Sequence, residues 1–330
     1  MPVNRKLILI AVVMVIVAGC AGCINPPQEG GSAGNESQVG TAEGNIAMKV
    51  GTMPDEATLP YYVAEREGLF AAQGLDVELV PFMSAMERDS ALIAGEIDAG
   101  ENDPVGVLVL RNAGYDAKVV SSELKETPEK MRFAIIASPH SNITSVADLE
   151  GKQLAISRNT VMEWIADNLL GNVTVNKIEE KRVPIRMQML LDNKYEAATL
   201  PDPLASYAIY KGATKVISDS ELNETIGYTV IVFRGEFIDE HPESVTKFLD
   251  AYDEAVERIN ANPENYRDLL VEIAKIPEEI AGSYEMATYM KAQQYPRDNF
   301  EEVLSWTQSK GLVTQEILYE DVIYGSAGHD

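Results

Sequence analysis

Cysteine is nearly missing from this chain. Of 330 residues only Cys20 and Cys23 are cysteines, and both lie at the end of an apolar leader, so everything downstream folds without a disulfide. Their C-x-x-C spacing is that of redox and zinc pairs, but no further Cys or His stands nearby to complete a ligand set. Histidine is as scarce: His140, His241 and His329 are far apart and show no metal-ligand spacing. Basic residues are also few, 27 against 52 acids, for a net charge of −25. A nucleic-acid partner is therefore excluded, because phosphates need a basic face. There is no P-loop and no dinucleotide fingerprint, and no G-x-S-x-G elbow between a strand and a helix. The chain is thus not expected to hydrolyse ATP, to be an enzyme, or to carry a metal or any other cofactor. The apolar run from Leu7 to Ala18 is 12 residues, short for a membrane span.

That run has a purpose at the N-terminus. Arg5 and Lys6 precede it, and Val17-Ala18-Gly19-Cys20 ends it, the pattern of a signal segment cut before a lipid-bearing cysteine. Residues 1–23 are read as a lipoprotein-type signal with Cys20 as the attachment point. An uncleaved anchor helix is the other reading of the same run. Residues 24–45 are rich in Gly, Ser, Pro, Asn and Glu and poor in large apolar side chains, which makes a flexible tether. The protein is expected on the outer face of the cell membrane, held by lipid.

From residue 46 onward the hydrophobic period switches repeatedly between two and 3.6, with Gly and Asp-Pro punctuation. Strands alternating with helices predict an α/β fold with parallel strands, in which ligands bind outside the carboxyl ends of the strands. Three polar loops fall at that edge in the first part of the chain: Thr52–Pro60, Phe82–Glu87 and Gly100–Pro104. A second α/β unit begins near Met131, and from Pro242 the pattern turns helical. At 330 residues two modest cores fit.

The stretches PYYVAEREGLFAAQGLDVELV (Pro60–Val80), ALIAGEIDAG (Ala91–Gly100), SVADLEGKQLAIS (Ser145–Ser157) and EFIDEHPESVTKFLDAY (Glu236–Tyr252) occur in an order and spacing that resembles the solute-binding proteins of ABC importers. The branch most similar serves nitrate, sulfonates, taurine and thiamine precursors. The resemblance implies a type 2 periplasmic-binding-protein-like fold of two lobes with a hinge and a ligand cleft between them. Residues 46–127 and 233–330 would form lobe 1, and 128–232 lobe 2. It further implies a monomer that captures a small polar molecule and delivers it to a membrane permease whose partner ATPase supplies the energy. An enzyme of thiamine-precursor pyrimidine synthesis on the same fold, or a sensory binding module without a transporter, are the alternatives.

The residues expected to contact a ligand follow from the loops. Ser157, Asn159 and Thr160 sit where a strand gives way to a helix, and Thr160 with Glu163 has capping-box spacing. Free N–H groups there can hold a polar or anionic group. Ser84 and Met86 occupy the same kind of strand-to-helix turn, with Glu87 at the box position. Asn102 and Asp103 follow the third strand, and Asp202 follows Ala197–Leu200. Each of these side chains could instead serve only as a cap or turn former. Among aromatics Tyr61 is the cleft candidate, and Tyr62 is placed in the core on the apolar helix face. Acids outnumber bases in these loops, Arg158 being the clearest base, which leaves room for a cationic, zwitterionic or neutral ligand.

Overall fold

The structure is a computed structural model and describes residues 45–325. The signal segment with Cys20 and almost all of the 24–45 tether lie outside the described residues. In chain order the first elements are β1 (Ile46–Thr52), α1 (Leu59–Arg66), α2 (Leu69–Ala72), β2 (Leu75–Pro81), α3 (Ala85–Ile93), β3 (Ala99–Asn102), α4 (Pro104–Asn112) and β4 (Ala117–Leu124). Next come β5 (Phe133–Ala137), β6 (Gln153–Ile156), α5 (Val161–Leu170), β7 (Asn176–Glu179), α6 (Val183–Leu191), β8 (Ala197–Pro201), α7 (Leu204–Tyr210) and β9 (Thr214–Ser218). The chain closes with β10 (Thr229–Arg234), α8 (Gly235–Glu240), α9 (Ser244–Ala261), α10 (Arg267–Ile273), α11 (Glu278–Ala281), α12 (Arg297–Ser309) and α13 (Tyr319–Val322).

The strands form two sheets, ordered β2-β1-β3-β10-β4 and β7-β6-β8-β5-β9. β1 runs parallel to β2 and β3, and β6 parallel to β7 and β8, as the alternating pattern predicts. Each sheet is mixed, however: β10 is antiparallel to β3 and β4, and β5 to β8 and β9. Thr229–Val232, expected in lobe 2, instead belong to β10, which pairs inside the first sheet. Its β-branched run is buried on both faces, Val230 and Val232 in the core that contains α4 and Ile231 and Phe233 in the core that contains α1 and α9.

The chain passes from the first sheet to the second through residues 125–132 and returns through 219–228. The two passages are bound to each other. Glu126 accepts the N–H groups of Ile226 (2.7 Å) and Gly227 (3.1 Å), and Asp219 accepts those of Arg132 (3.0 Å) and Phe133 (2.9 Å).

One core packs α1 and α9 on a face of the first sheet, with Phe248 meeting Tyr61, Phe70 and Phe233. Another continues from α4 across to α5 and α12. There Trp306 of α12 stands edge-on to Trp164 of α5 at 5.7 Å and donates to Asp167 at 2.9 Å. A third, smaller cluster fills the space between the second sheet and α6–α7. Glycine has a sharp role where β1 meets β3. Gly51 and Gly100 are register partners, and a Cβ on Gly100 would stand 2.7 Å from the Gly51 carbonyl oxygen. That close approach fixes the position of the β3 end, which carries Glu101 and Asn102.

Candidate functional site

The carboxyl ends of β1, β2 and β3 point toward those of β6 and β8, and a cavity of about 140 Å³ lies between them. Its walls come from both sheets: Met53–Asp55, Met83–Ala85, Arg88 and Glu101–Asp103 from the first, and Phe133, Ser157, Thr160–Met162, Lys181 and Pro201–Leu204 from the second. A groove of about 330 Å³ continues outward between α3–α4 and the Ser157–Thr160 turn. Helices start at this cavity because the caps the sequence offers are used. Ser84 accepts the Glu87 N–H (3.3 Å), Asp103 the Gly106 N–H (2.8 Å) and Thr160 the Met162 N–H (3.2 Å). Asp202 accepts the Ser206 N–H (3.0 Å) at the start of α7. The positive ends of four helices therefore converge on one space, two capped by hydroxyls and two by carboxylates.

Of the residues singled out in the sequence, Ser84, Asn102, Asp103, Ser157, Thr160 and Asp202 line this cavity. Three do not. Tyr61 is fully buried away from it, its ring against Phe248 (5.6 Å) and Tyr252 (5.9 Å). The phase of α1 turns Tyr61 inward with Leu59, Val63 and Ala64, and leaves Tyr62, assigned to the core, half-buried with its hydroxyl 3.0 Å from that of Thr52. Met86 is 57% exposed and borders only the outer groove, because one turn into α3 the cavity face has already passed to Arg88. Asn159 also borders the outer groove; its backbone is left-handed (φ 60°) and its N–H is held by Glu163 at 3.0 Å. Glu163 thus completes the turn as a cap, while its other oxygen pairs with Lys177 (2.8 Å).

Several lining residues escape sequence reasoning. Arg88 is 4% exposed; its guanidinium donates to Asn102 Oδ1 (2.7 Å) and Asp89 Oδ1 (2.8 Å), and Asn102 Nδ2 donates to the same Asp89 oxygen (3.1 Å). A signal existed: Arg88, Ala91 and Leu92 share the i, i+3, i+4 face, and a charge there implies a buried partner. Asp55 caps its own turn through the Ala57 N–H (2.7 Å) and meets Arg132 Nη1 at 3.2 Å. On the second-sheet side Arg186, wholly buried, donates to Ser157 Oγ (3.1 Å) and to the Glu180 carbonyl (2.8 Å), fixing the Ser157 turn.

The electrostatics are acidic and buried. Burial, with the like charge of Asp55, pushes the Glu101 carboxyl up to about 8 against the pull of Arg88 and Arg132. Burial also raises Asp103, opposed by Arg88. Behind Glu101, burial and the Glu101 charge raise Glu123 well above the carboxylate range. Among the described residues no group of three or more His, Cys, Asp or Glu is arranged to hold a metal ion, and no helix is long and apolar enough to cross a membrane.

Two α/β units facing each other across a lined cavity, the chain crossing twice between them, make the architecture of a periplasmic-binding-protein fold. The chain belongs to the NMT1/THI5-like family, whose profile matches residues 56–266. A Bacillus subtilis protein provisionally named an aliphatic sulfonates-binding protein is 21% identical over 264 residues, 77% of this chain and 73% of the relative. A Brachyspira hyodysenteriae protein provisionally named an ABC transporter periplasmic binding protein is 24% identical over 281 residues, 78% of this chain and 76% of the relative. Among solved structures, the alkanesulfonate-binding protein SsuA from Xanthomonas axonopodis pv. citri superposes with a TM-score of 0.71 at 15% identity, over 86% of this chain and 99% of that one. The desulfurization enzyme DSZB also shares the fold, with a TM-score of 0.63 at 12% identity, over 83% of this chain and 94% of that one. The named sequence relatives are binding proteins; the fold itself hosts both binding and catalysis.

Proposed function

We propose that the protein is the extracytoplasmic receptor of an ABC importer. It captures a small polar molecule, of the nitrate, sulfonate, taurine or thiamine-precursor kind, between two lobes and hands it to a membrane permease whose ATPase drives import. The observation that carries this reading is the cavity between the two sheets, lined by side chains from both: a ligand held there contacts both units at once and stabilises their closure by hinge motion. The passages 125–132 and 219–228, braced by Glu126 and Asp219, would be the hinge. In this reading the mature chain begins at Cys20, carries a lipid there and acts as a monomer. The cavity is about the size of one that takes benzene, so the ligand is a few heavy atoms across with any larger part in the outer groove.

The relation of the fold to an enzyme gives the test its form. Chain 46–330 is screened by thermal shift against nitrate, alkanesulfonates, taurine and aminopyrimidines, and any ligand found is recovered after long incubation. A binder present at 100 times its Kd stabilises the native state by about 2.7 kcal/mol. Recovery of the ligand unchanged supports a receptor; conversion to a product would establish an enzyme and overturn the proposal.

A further inference from the structure

Resting on the reading of this cavity as a ligand site, we propose that its inner end takes a protonated nitrogen. The ligand is then a small organic cation, or carries one, with its charge at Glu101 and its apolar body against Met53, Met83, Phe133 and Met162. The carboxylates around the cavity are unequal. Asp55, Asp103 and Asp202 each accept a helix-start N–H below or at 3.0 Å, and Asp55 and Asp202 also meet a cation. Glu101 accepts one long hydrogen bond, from the Met53 N–H at 3.3 Å. It is 6% exposed and lines the cavity. Glu123, whose charge acts on Glu101, is wholly buried, with the hydroxyls of Tyr61 and Thr229 beside it but neither within normal hydrogen-bond geometry. A buried carboxylate with only such loose donors and no close cation is costly unless it is neutralised.

The neighbouring cations do not supply what is missing. Arg132 faces Asp55, Glu56, Glu101 and Glu123 together, and its guanidinium makes one hydrogen bond, to Asp55, its Nε and Nη2 reaching no acceptor. Lys130 is held by Asp202 at 2.7 Å and Glu56 at 3.7 Å. Arg88 is bonded to Asp89 and Asn102. Five carboxylates, Asp55, Glu56, Glu101, Glu123 and Asp202, thus share the Arg132 guanidinium and the Lys130 ammonium while Arg88 is committed to Asp89 and Asn102, and the deficit opens onto the cavity at Glu101. The titratable and charged groups that act on Glu101 are Asp55 after β1, Tyr61 on α1, Arg88 on α3, Glu123 on β4 and Arg132 before β5. In the empty site a proton fills the deficit, consistent with the raised Glu101 carboxyl; a bound ammonium replaces that proton. Met53, Met83, Phe133, Val161 and Met162 offer carbon surface, while Ser157, Thr160 and Lys181 make the second-sheet wall partly polar.

The probes are size-matched: propylammonium, 1-propanol and propane-1-sulfonate, each titrated into chain 46–330 by calorimetry near neutral pH in two buffers of different ionisation enthalpy. Propylammonium is expected to bind with release of about one proton per site, seen as a buffer-dependent enthalpy, with the alcohol weaker and the sulfonate absent. Glu101→Gln is expected to weaken propylammonium about tenfold to a hundredfold, the range of a charge-assisted hydrogen bond, and to lose the proton release. Its melting curve and that of Glu123→Gln report folding separately. Tighter binding of the sulfonate than of the ammonium, or unchanged ammonium affinity in Glu101→Gln, overturns the cation subsite while leaving the receptor reading in place. Failure of every probe of either charge counts against both.

Discussion

Lys130, in the first passage between the sheets, places its ammonium 2.7 Å from the Asp202 carboxylate at the end of β8 and 3.7 Å from Glu56 beside β1. The same ammonium lies 3.9 Å from the centre of the Tyr284 ring, whose hydroxyl donates to Glu56 at 2.9 Å. One residue of the connecting segment thus links both α/β units under the cavity. Glu56 is wholly buried and Asp202 nearly so. Lys130→Met leaves two buried carboxylates without their shared cation, and because Lys130 is 15% exposed a loss of about 2–3 kcal/mol is expected, toward the low end for broken buried pairs. Urea unfolding measures it; a loss below about 0.5 kcal/mol would mean the link is a solvated surface pair.

Stability should fall as pH rises through neutrality. Glu101 is pushed up to about 8 and Asp219 up to about 7, in both cases by burial first and a like charge second. A carboxyl whose folded value exceeds its unfolded value holds more protons in the native state. The native state therefore loses stability as pH climbs from about 4.5 toward these values, and gains it on descent. A slope of roughly 2 kcal/mol per pH unit, up to about 1.4 from each carboxyl, is expected between about pH 5 and 7. Melting temperatures across that range check it, and Glu101→Gln combined with Asp219→Asn should flatten the curve.

Gly100→Ala tests how the β1–β3 contact sets the site. The new Cβ would meet the Gly51 carbonyl at 2.7 Å, a backbone atom that cannot rotate away. A loss of about 1–3 kcal/mol is expected, with weaker ligand binding because Glu101, Asn102 and Asp103 follow in the same segment. Chemical denaturation and titration of the same sample separate the two effects.

Asp103→Ala together with Thr160→Ala removes one cavity side chain from each unit. Each residue caps a helix, so the fold should lose about 1 kcal/mol per cap and remain folded, while ligand affinity should fall below detection. Unchanged affinity in calorimetry would remove both turns from the binding surface.

The helix starts at Ser84 and Thr160 were readable because a cap is a contact within three residues of itself, and so were the strands they follow; the start of α4 at Asp103 was not, because Asp-Pro reads equally as a turn. The role of Glu163 was half readable: its spacing announced a cap, but its second partner, Lys177, comes from β7. Arg88 could have been suspected from its place on the apolar face of α3. Nothing local predicts that Arg132 would meet Asp55, 77 residues away, or that Lys130 would meet Asp202.

What the sequence determined by itself is the alternation of strands and helices, the turns that carry the caps, and the order of segments that places the chain in its family. These depend on interactions along the chain or within one turn. The tertiary structure decided which of Tyr61 and Tyr62 faces inward, since the phase of α1 answers to Phe248 and Tyr252 on α9. It decided that β10 joins the first sheet. It also gathered Asp55, Glu101, Glu123 and Arg132 into one buried group, because burial and distance between charges far apart in the chain exist only once the two sheets have packed.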